Sequence, residues 1–164
     1  MKSRHLALLR HAKSSWDDPD LDDHDRPLTG RGRRAAASIG KYMRRKGIVP
    51  DLILCSSATR AVQTLKLLQL GPGPEILIED ELYGASVAEM LARLRRVPDQ
   101  VTSVLLIGHN PGIFDLAVTL ADDQQSIDAF PTAALADLRL PLDSWADLFP
   151  NVATVHAFVT PRSL

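Results

Sequence analysis

The stretch RHLALLRHA, residues 4–12, decides how the rest of the chain is read. Four apolar residues, Leu6-Ala7-Leu8-Leu9, run unbroken between two copies of the pair Arg-His. A short continuous apolar run suits a strand buried on both faces, because a parallel sheet covered by helices offers it no solvent side. Residues 6–9 are therefore predicted as the first strand. Arg4-His5 falls at its amino end, as an exposed start, and Arg10-His11 at its carboxyl end. Ligands of open α/β sheets bind beyond the carboxyl ends of strands. At about 3.3 Å per residue the two histidines lie roughly 20 Å apart and cannot share a site, so only Arg10-His11 is a candidate for chemistry.

Further strands are expected at residues 52–55, 75–78, 104–107, 135–140 and 154–159, alternating with segments of helical period. The pattern predicts an α/β fold: one domain in three α/β/α layers, with a mostly parallel central sheet of about six strands. Helices are expected at 31–46, with Thr29 near the N-cap and Gly47 as terminator, and at 58–69, capped by Ser57. Ser86 and Glu89 form a capping box for a third helix ending near Val97. Asn110 is placed as the cap of a fourth, with Pro111 at its first position. Residues 141–152 leave no room for a helix, so the last two strands should form an antiparallel edge.

At 164 residues the chain can bury roughly 70% of the surface exposed when unfolded. Its one cysteine, Cys55, excludes an intramolecular disulfide, and no stretch approaches the roughly 20 apolar residues of a membrane span. A cytoplasmic protein without a membrane partner is expected. Residues 1–50 hold twelve Lys/Arg against six Asp/Glu, so an anion would be met in this half. Most of the excess lies along the first helix and reads as a solvated face. Nucleic acid is not an expected partner, since aromatic content is 5% and no recognition motif appears. The segment 12–28 is a long loop with six aspartates between Asp17 and Asp25, but it lacks the glycine and final glutamate of a calcium-binding loop.

Beyond the carboxyl ends of three predicted strands stand Arg10-His11, the segment Ser56-Ser57-Ala58-Thr59-Arg60, and Gly108-His109-Asn110-Pro111-Gly112. Guanidinium groups match phosphoryl or carboxylate oxygens with paired hydrogen bonds, and helix N-termini favour anions. A neutral histidine inside such a pocket can attack phosphorus. His24 and His156 read as structural. Cys55 is one residue too close to Arg60 for the cradle of a cysteine phosphatase and reads as a buried strand end.

With these motifs assembled, the sequence resembles the histidine phosphatase superfamily and, within it, the small SixA-type phosphohistidine phosphatases. Leu8-Leu9-Arg10-His11 is similar to the signature whose histidine becomes phosphorylated. Asp25-Arg26-Pro27-Leu28-Thr29, with Gly32, resembles the segment entering the first helix. Residues 56–64 correspond to the stretch supplying a second arginine, Arg60, and residues 107–111 to the stretch supplying a second histidine, His109. The resemblance implies one domain over residues 1–164 without a cap domain, and a phosphatase needing neither metal nor cofactor. His11 would be the nucleophile, and Arg10, Arg60 and His109 would hold the phosphoryl oxygens. Glu81 is the candidate acid, with Asp17 and Asp18 behind it. Arg26, Thr29, Ser57 and Asn110 are candidate substrate contacts.

Two features depart from the family pattern. Ala12 stands where glycine is common, so the turn after His11 must avoid a conformation that only glycine tolerates. The acid is weakly marked. A phosphohistidine leaves as imidazole, which can be protonated beforehand, whereas an alkyl phosphate gains commonly 10²–10⁴-fold from a positioned acid. The expected substrate is thus phosphohistidine on a protein, with a small phosphorylated molecule, or a phosphate-binding module without catalysis, as the rivals.

Overall fold

The computed structural model describes residues 3–164. Strands β1 (Arg4–Arg10), β2 (Leu52–Ser56), β3 (Glu75–Glu79), β4 (Ser103–Gly108), β5 (Leu135–Leu140) and β6 (Thr154–Val159) form one sheet. Helices α1 (Gly30–Arg45), α2 (Thr59–Leu68), α3 (Val87–Arg95) and α4 (Gly112–Leu120) cover it. The strand order is β3-β2-β4-β1-β5-β6. Neighbours among β1 to β4 pair in parallel, while β5 runs antiparallel to both β1 and β6. The one reversed strand, β5, therefore lies one place in from the edge that β6 forms. Its reversal follows from the connection to β6, which contains only the 3-10 turn Trp145–Asp147 and cannot make a helical crossover.

Alternate residues of the apolar runs feed two cores. Leu6, Leu8, Leu52, Leu54, Val104 and Leu106 pack with α3 and α4, whereas Ala7, Leu9, Ile53, Cys55, Leu105 and Ile107 pack with α1 and α2. Continuous hydrophobicity was needed because both faces are covered. At the open edge the cover thins, and Ile76 and Ile78 of β3 are half exposed.

Thr29 caps α1, its hydroxyl accepting from the Gly32 amide at 2.9 Å. Gly32 has a further reason to lack a side chain, since a Cβ there would stand 2.2 Å from the Lys13 carbonyl oxygen. That approach clamps the loop leaving β1 against the start of α1, and the Thr29 amide also donates to Lys13 O at 2.9 Å. Gly47 ends the helix region at φ +69°, and the Ser86–Glu89 capping box is present at α3.

Three local expectations are corrected. Ser57 does not cap α2, whose N-cap is Ala58; the neighbouring Ser56 Oγ accepts from the Ala58 amide at 3.2 Å instead. Asn110 does not cap α4, whose N-cap is Pro111; the Asn110 amide donates to Phe130 O at 2.9 Å. Arg4 is not an exposed start of β1 but is 2% exposed. Its guanidinium donates to the carbonyls of Asp99 and Val101, at 2.9 and 2.7 Å, and of Asp143. Three backbone acceptors take both terminal nitrogens of a charge that the sequence leaves without a visible partner, while its Nε is buried without one.

Candidate active site

The carboxyl ends of β1, β2 and β4 bring Arg10, Ser56 and Gly108 to one edge of the sheet, and Arg10, His11, Arg60 and His109 meet there. The backbone of the Arg10-His11 pair is fully tied. The Arg10 amide donates to Ala134 O and the His11 amide to Gly108 O, each at 3.1 Å. Both carbonyls accept from the Ala133 amide at 3.0 Å. Ala133 adopts φ +60°, a left-handed conformation costly for a side-chain-bearing residue, which the surrounding bonds maintain. Ala12, by contrast, needs no positive φ; it is fully buried and its amide donates to Thr64 Oγ1 at 3.0 Å.

The His11 ring is 5.0 Å from that of His109, centroid to centroid. His11 Nδ1 lies 2.7 Å from Ala12 O. A carbonyl only accepts, so Nδ1 carries the hydrogen and Nε2 presents its lone pair. Burial first, then His109 and the two arginines, push the His11 pKa down to about 3, against a hydrogen bond to Ala12 that raises it. Burial and Arg60 likewise lower His109 to about 4. Both rings are neutral around pH 7. His109 Nε2 lies 2.7 Å from Ser56 Oγ, and its Nδ1 is buried without a partner. Arg10 makes one bond, from Nη1 to Phe130 O at 3.1 Å, and Nε of both Arg10 and Arg60 is buried without a partner. Burial, followed by the Arg60 charge, lowers the Arg10 pKa. Buried donors without an acceptor are costly, and an oxyanion would accept from the two arginines.

One residue that sequence reasoning missed is Asp23. Its carboxylate lies 2.9 Å from Arg60 Nη2 and 3.1 Å from Arg26 Nε, and its backbone carbonyl accepts from Arg60 Nη1 at 2.6 Å. The Tyr83 hydroxyl also donates to it at 2.5 Å. Tyr83 first, with Arg60 and Arg26, outweighs a smaller desolvation effect and holds the Asp23 carboxyl well below the usual range. The same bond raises the Tyr83 phenol. Tyr83 meets the His109 ring edge-on at 5.4 Å and the His24 ring at 4.9 Å. His24, expected to be structural, thus stands at the site, its Nε2 2.9 Å from Ser57 Oγ. Nothing in the sequence singles out Asp23 among its five aspartate neighbours.

The remaining candidates stand apart from the four-residue cluster. Glu81 is exposed in the 3-10 turn Asp80–Leu82, and its side chain makes no hydrogen bond or ion pair among the described residues. Thr29 is spent on capping α1 and on Lys13 O. Arg26 is held by Asp23, by Ser14 Oγ at 2.9 Å and by Ser15 O at 3.1 Å, with the Trp16 ring 3.4 Å from its guanidinium carbon. It builds the loop and reaches the site through Asp23. Cys55 is fully buried, and burial pushes its thiol up to about 12, so no thiolate is available. Among the described residues, no group of three or more His, Cys, Asp or Glu side chains is placed to hold a metal ion. A shallow cavity of about 320 Å³ runs from His109 and Asn110 beneath residues 84–87.

Residues 6–104 match the model of the histidine phosphatase superfamily (branch 1), more than half of the chain. The chain belongs to the histidine phosphatase superfamily. Its relatives include an uncharacterised Mycobacterium tuberculosis protein, 38% identical over 162 residues, spanning 94% of this chain and all of the relative. Among solved structures, a Nakamurella multipartitia protein provisionally named phosphohistidine phosphatase SixA superposes with a TM-score of 0.88 at 32% identity, covering 98% of each chain. Another of the same provisional name, from Agrobacterium tumefaciens, gives 0.80 at 31% identity over 96% of this chain and 98% of the other. The histidine phosphatase fold is thus shared along almost the full length. No helix among the described residues is long and apolar enough to cross a membrane.

Proposed function

We propose that the protein is a phosphatase that uses His11 as its nucleophile, forms a covalent phosphohistidine and acts on phosphohistidine carried by a protein. The observation that carries this reading is the 2.7 Å bond from His11 Nδ1 to Ala12 O, which leaves a neutral Nε2 lone pair in a cluster with Arg10, Arg60 and His109. In the first step Nε2 forms a bond to phosphorus while the phosphorus–nitrogen bond of the substrate breaks, and the substrate imidazole leaves with a proton. In the second, water attacks the same phosphorus, the bond to His11 breaks and inorganic phosphate departs. Arg10 and Arg60 hold the equatorial oxygens, where charge must be stabilised as the group transfers. Ser56 Oγ accepts from Ala58 N and pairs with His109 Nε2; with the hydroxyl hydrogen given to Nε2, the ring hydrogen of His109 sits on Nδ1, ready for an oxygen.

The choice of substrate rests on the acid. Glu81 is exposed and unengaged, and the carboxylate that does reach the cluster, Asp23, is held ionised by Tyr83 and two arginines. Asp23 is therefore no proton donor near pH 7 and Glu81 is not engaged with the cluster, which disfavours an alkoxide leaving group and suits imidazole. Residues 1–164 are read as one such domain, without a cap, open to a protein side chain and working in the cytoplasm. Brief labelling with a phosphoryl donor should give an acid-labile adduct absent from His11→Ala. Turnover of a phosphohistidine protein should exceed that of a panel of sugar and nucleotide phosphates. A preference for a metabolite would establish the phosphomonoesterase reading, and neither adduct nor turnover would leave a phosphate-binding module.

A further inference from the structure

At the amino end of β1, on the face covered by α1, lies a second cavity of about 550 Å³, within the range of small-ligand sites. It is remote from the catalytic pocket and none of its lining has a role in the reaction above. Its floor is a fixed polar chain. Asp137 is 4% exposed on the inner strand β5, in register with the core residue Ala7, where a carboxylate is expensive to bury. It bonds to His5 Nε2, and His5 Nδ1 lies 3.4 Å from Ser103 Oγ.

Above this floor stand groups with nothing to hold. Arg139 is in register with His5 across the β1/β5 pair, so the two project from the same face. Lys46 reaches the same cavity from the end of α1. Among the described residues, neither makes a side-chain hydrogen bond or ion pair. His156 completes the rim. The β5–β6 register slips so that Asp137 faces Ala157 while Leu138 faces Val155, which leaves His156 as the extra residue of a bulge. Bulges re-aim side chains and interrupt pairing where a site needs it.

We propose that this cleft binds a small polyanion, a molecule carrying phosphate or several carboxylates, held by Arg139, Lys46 and His156 over the His5–Asp137 floor. Two cations without acid partners outnumber the single carboxylate, which is already bonded to His5, and a guanidinium presents paired donors to either kind of oxyanion. The proposal is independent of the catalytic reading, since no active-site residue contributes.

The test is a titration of the full chain with inorganic phosphate, citrate and glucose, followed by amide chemical shifts. Phosphate or citrate should move the Gly47, Thr102 and Ser103 amides with saturation, and glucose should not. The double variant Arg139→Gln/Lys46→Gln should weaken that response at least tenfold, while amides outside the cleft keep their wild-type positions, which shows that the variant is folded. The proposal is overturned by a response of the first set that stays linear to about 20 mM, by an equal response to glucose, or by an unchanged midpoint in the double variant.

Discussion

The same dipeptide stands at both ends of β1, and the two copies are treated in opposite ways. Arg4 gives its donors to three backbone carbonyls, and His5 is bonded to the buried Asp137. Arg10 has one carbonyl, and His11 uses one ring nitrogen and leaves the other without a protein partner. A buried polar group without a partner costs stability; the amino end leaves Arg4 Nε in that state, and the carboxyl end leaves Nε of both Arg10 and Arg60, His109 Nδ1 and Asn110 Oδ1, a larger cost concentrated at one place. The contrast separates side chains that hold the fold from side chains kept ready for an oxyanion.

Substitutions should divide along the same line. The largest effect is expected for His11→Ala, which should lower phosphatase turnover on the order of 10³-fold or more and abolish the phosphoenzyme. Rapid-quench labelling checks both. Loss of one charge-stabilising group in Arg10→Ala should reduce kcat/KM roughly 10²–10³-fold with little change in denaturant midpoint, since its side chain makes one hydrogen bond. Arg4→Ala should do the reverse, lowering unfolding free energy by about 2–4 kcal/mol and leaving kcat of the folded protein within about twofold. A comparable activity loss in both arginine variants would break the division.

Acidity should sharpen it. Unfolded histidine titrates near 6.5, while native His11 and His109 sit near 3 and 4. Between these values the unfolded chain binds more protons, so these two rings make stability fall as pH drops from about 6.5 towards 3. Chemical denaturation at stepped pH should show that slope, and His109→Gln should reduce it. The kcat/KM profile should show no protonation of the nucleophile near 6.5. Among the smallest effects, Asp23→Asn should tighten inhibition by inorganic phosphate a few-fold, because the carboxylate and phosphate compete for Arg60. Glu81→Gln should change turnover less than about twofold; a large loss would restore Glu81 as the acid.

Much of this was legible in the sequence, for identifiable reasons. Apolar runs placed β1 to β4; β5 and β6 were placed although Asp137, Arg139 and His156 interrupt them, and the convergence of Arg10, His11, Arg60 and His109 followed from asking what comes after each strand. Contacts made through backbone were not legible. The carbonyls of Asp99, Val101 and Asp143 that bury Arg4, and that of Phe130 that meets Arg10 and Asn110, have no side-chain signature. Asp23 bonds to residues 37 and 60 positions away, so its role depends on the path of the loop. Ser57 and Asn110 have the chemistry of helix caps, but Ser57 is drawn to His24 and Asn110 to Phe130. Local preference yielded to tertiary partners there.

The half-covered outer strand bears on how copies of the protein behave in a crowded solution. β3 reads Glu-Ile-Leu-Ile-Glu, with Ile76 and Ile78 half exposed on an edge whose outer backbone groups pair with no other strand of the sheet. Such an edge is a template on which another chain can add and begin to aggregate. The glutamates at its two ends act as gatekeepers, because a second copy docking there would bring like charges together. Arg93 forms two hydrogen bonds with Glu79, at 2.7 and 3.1 Å, which leaves Glu75 as the freer repulsive charge at this edge.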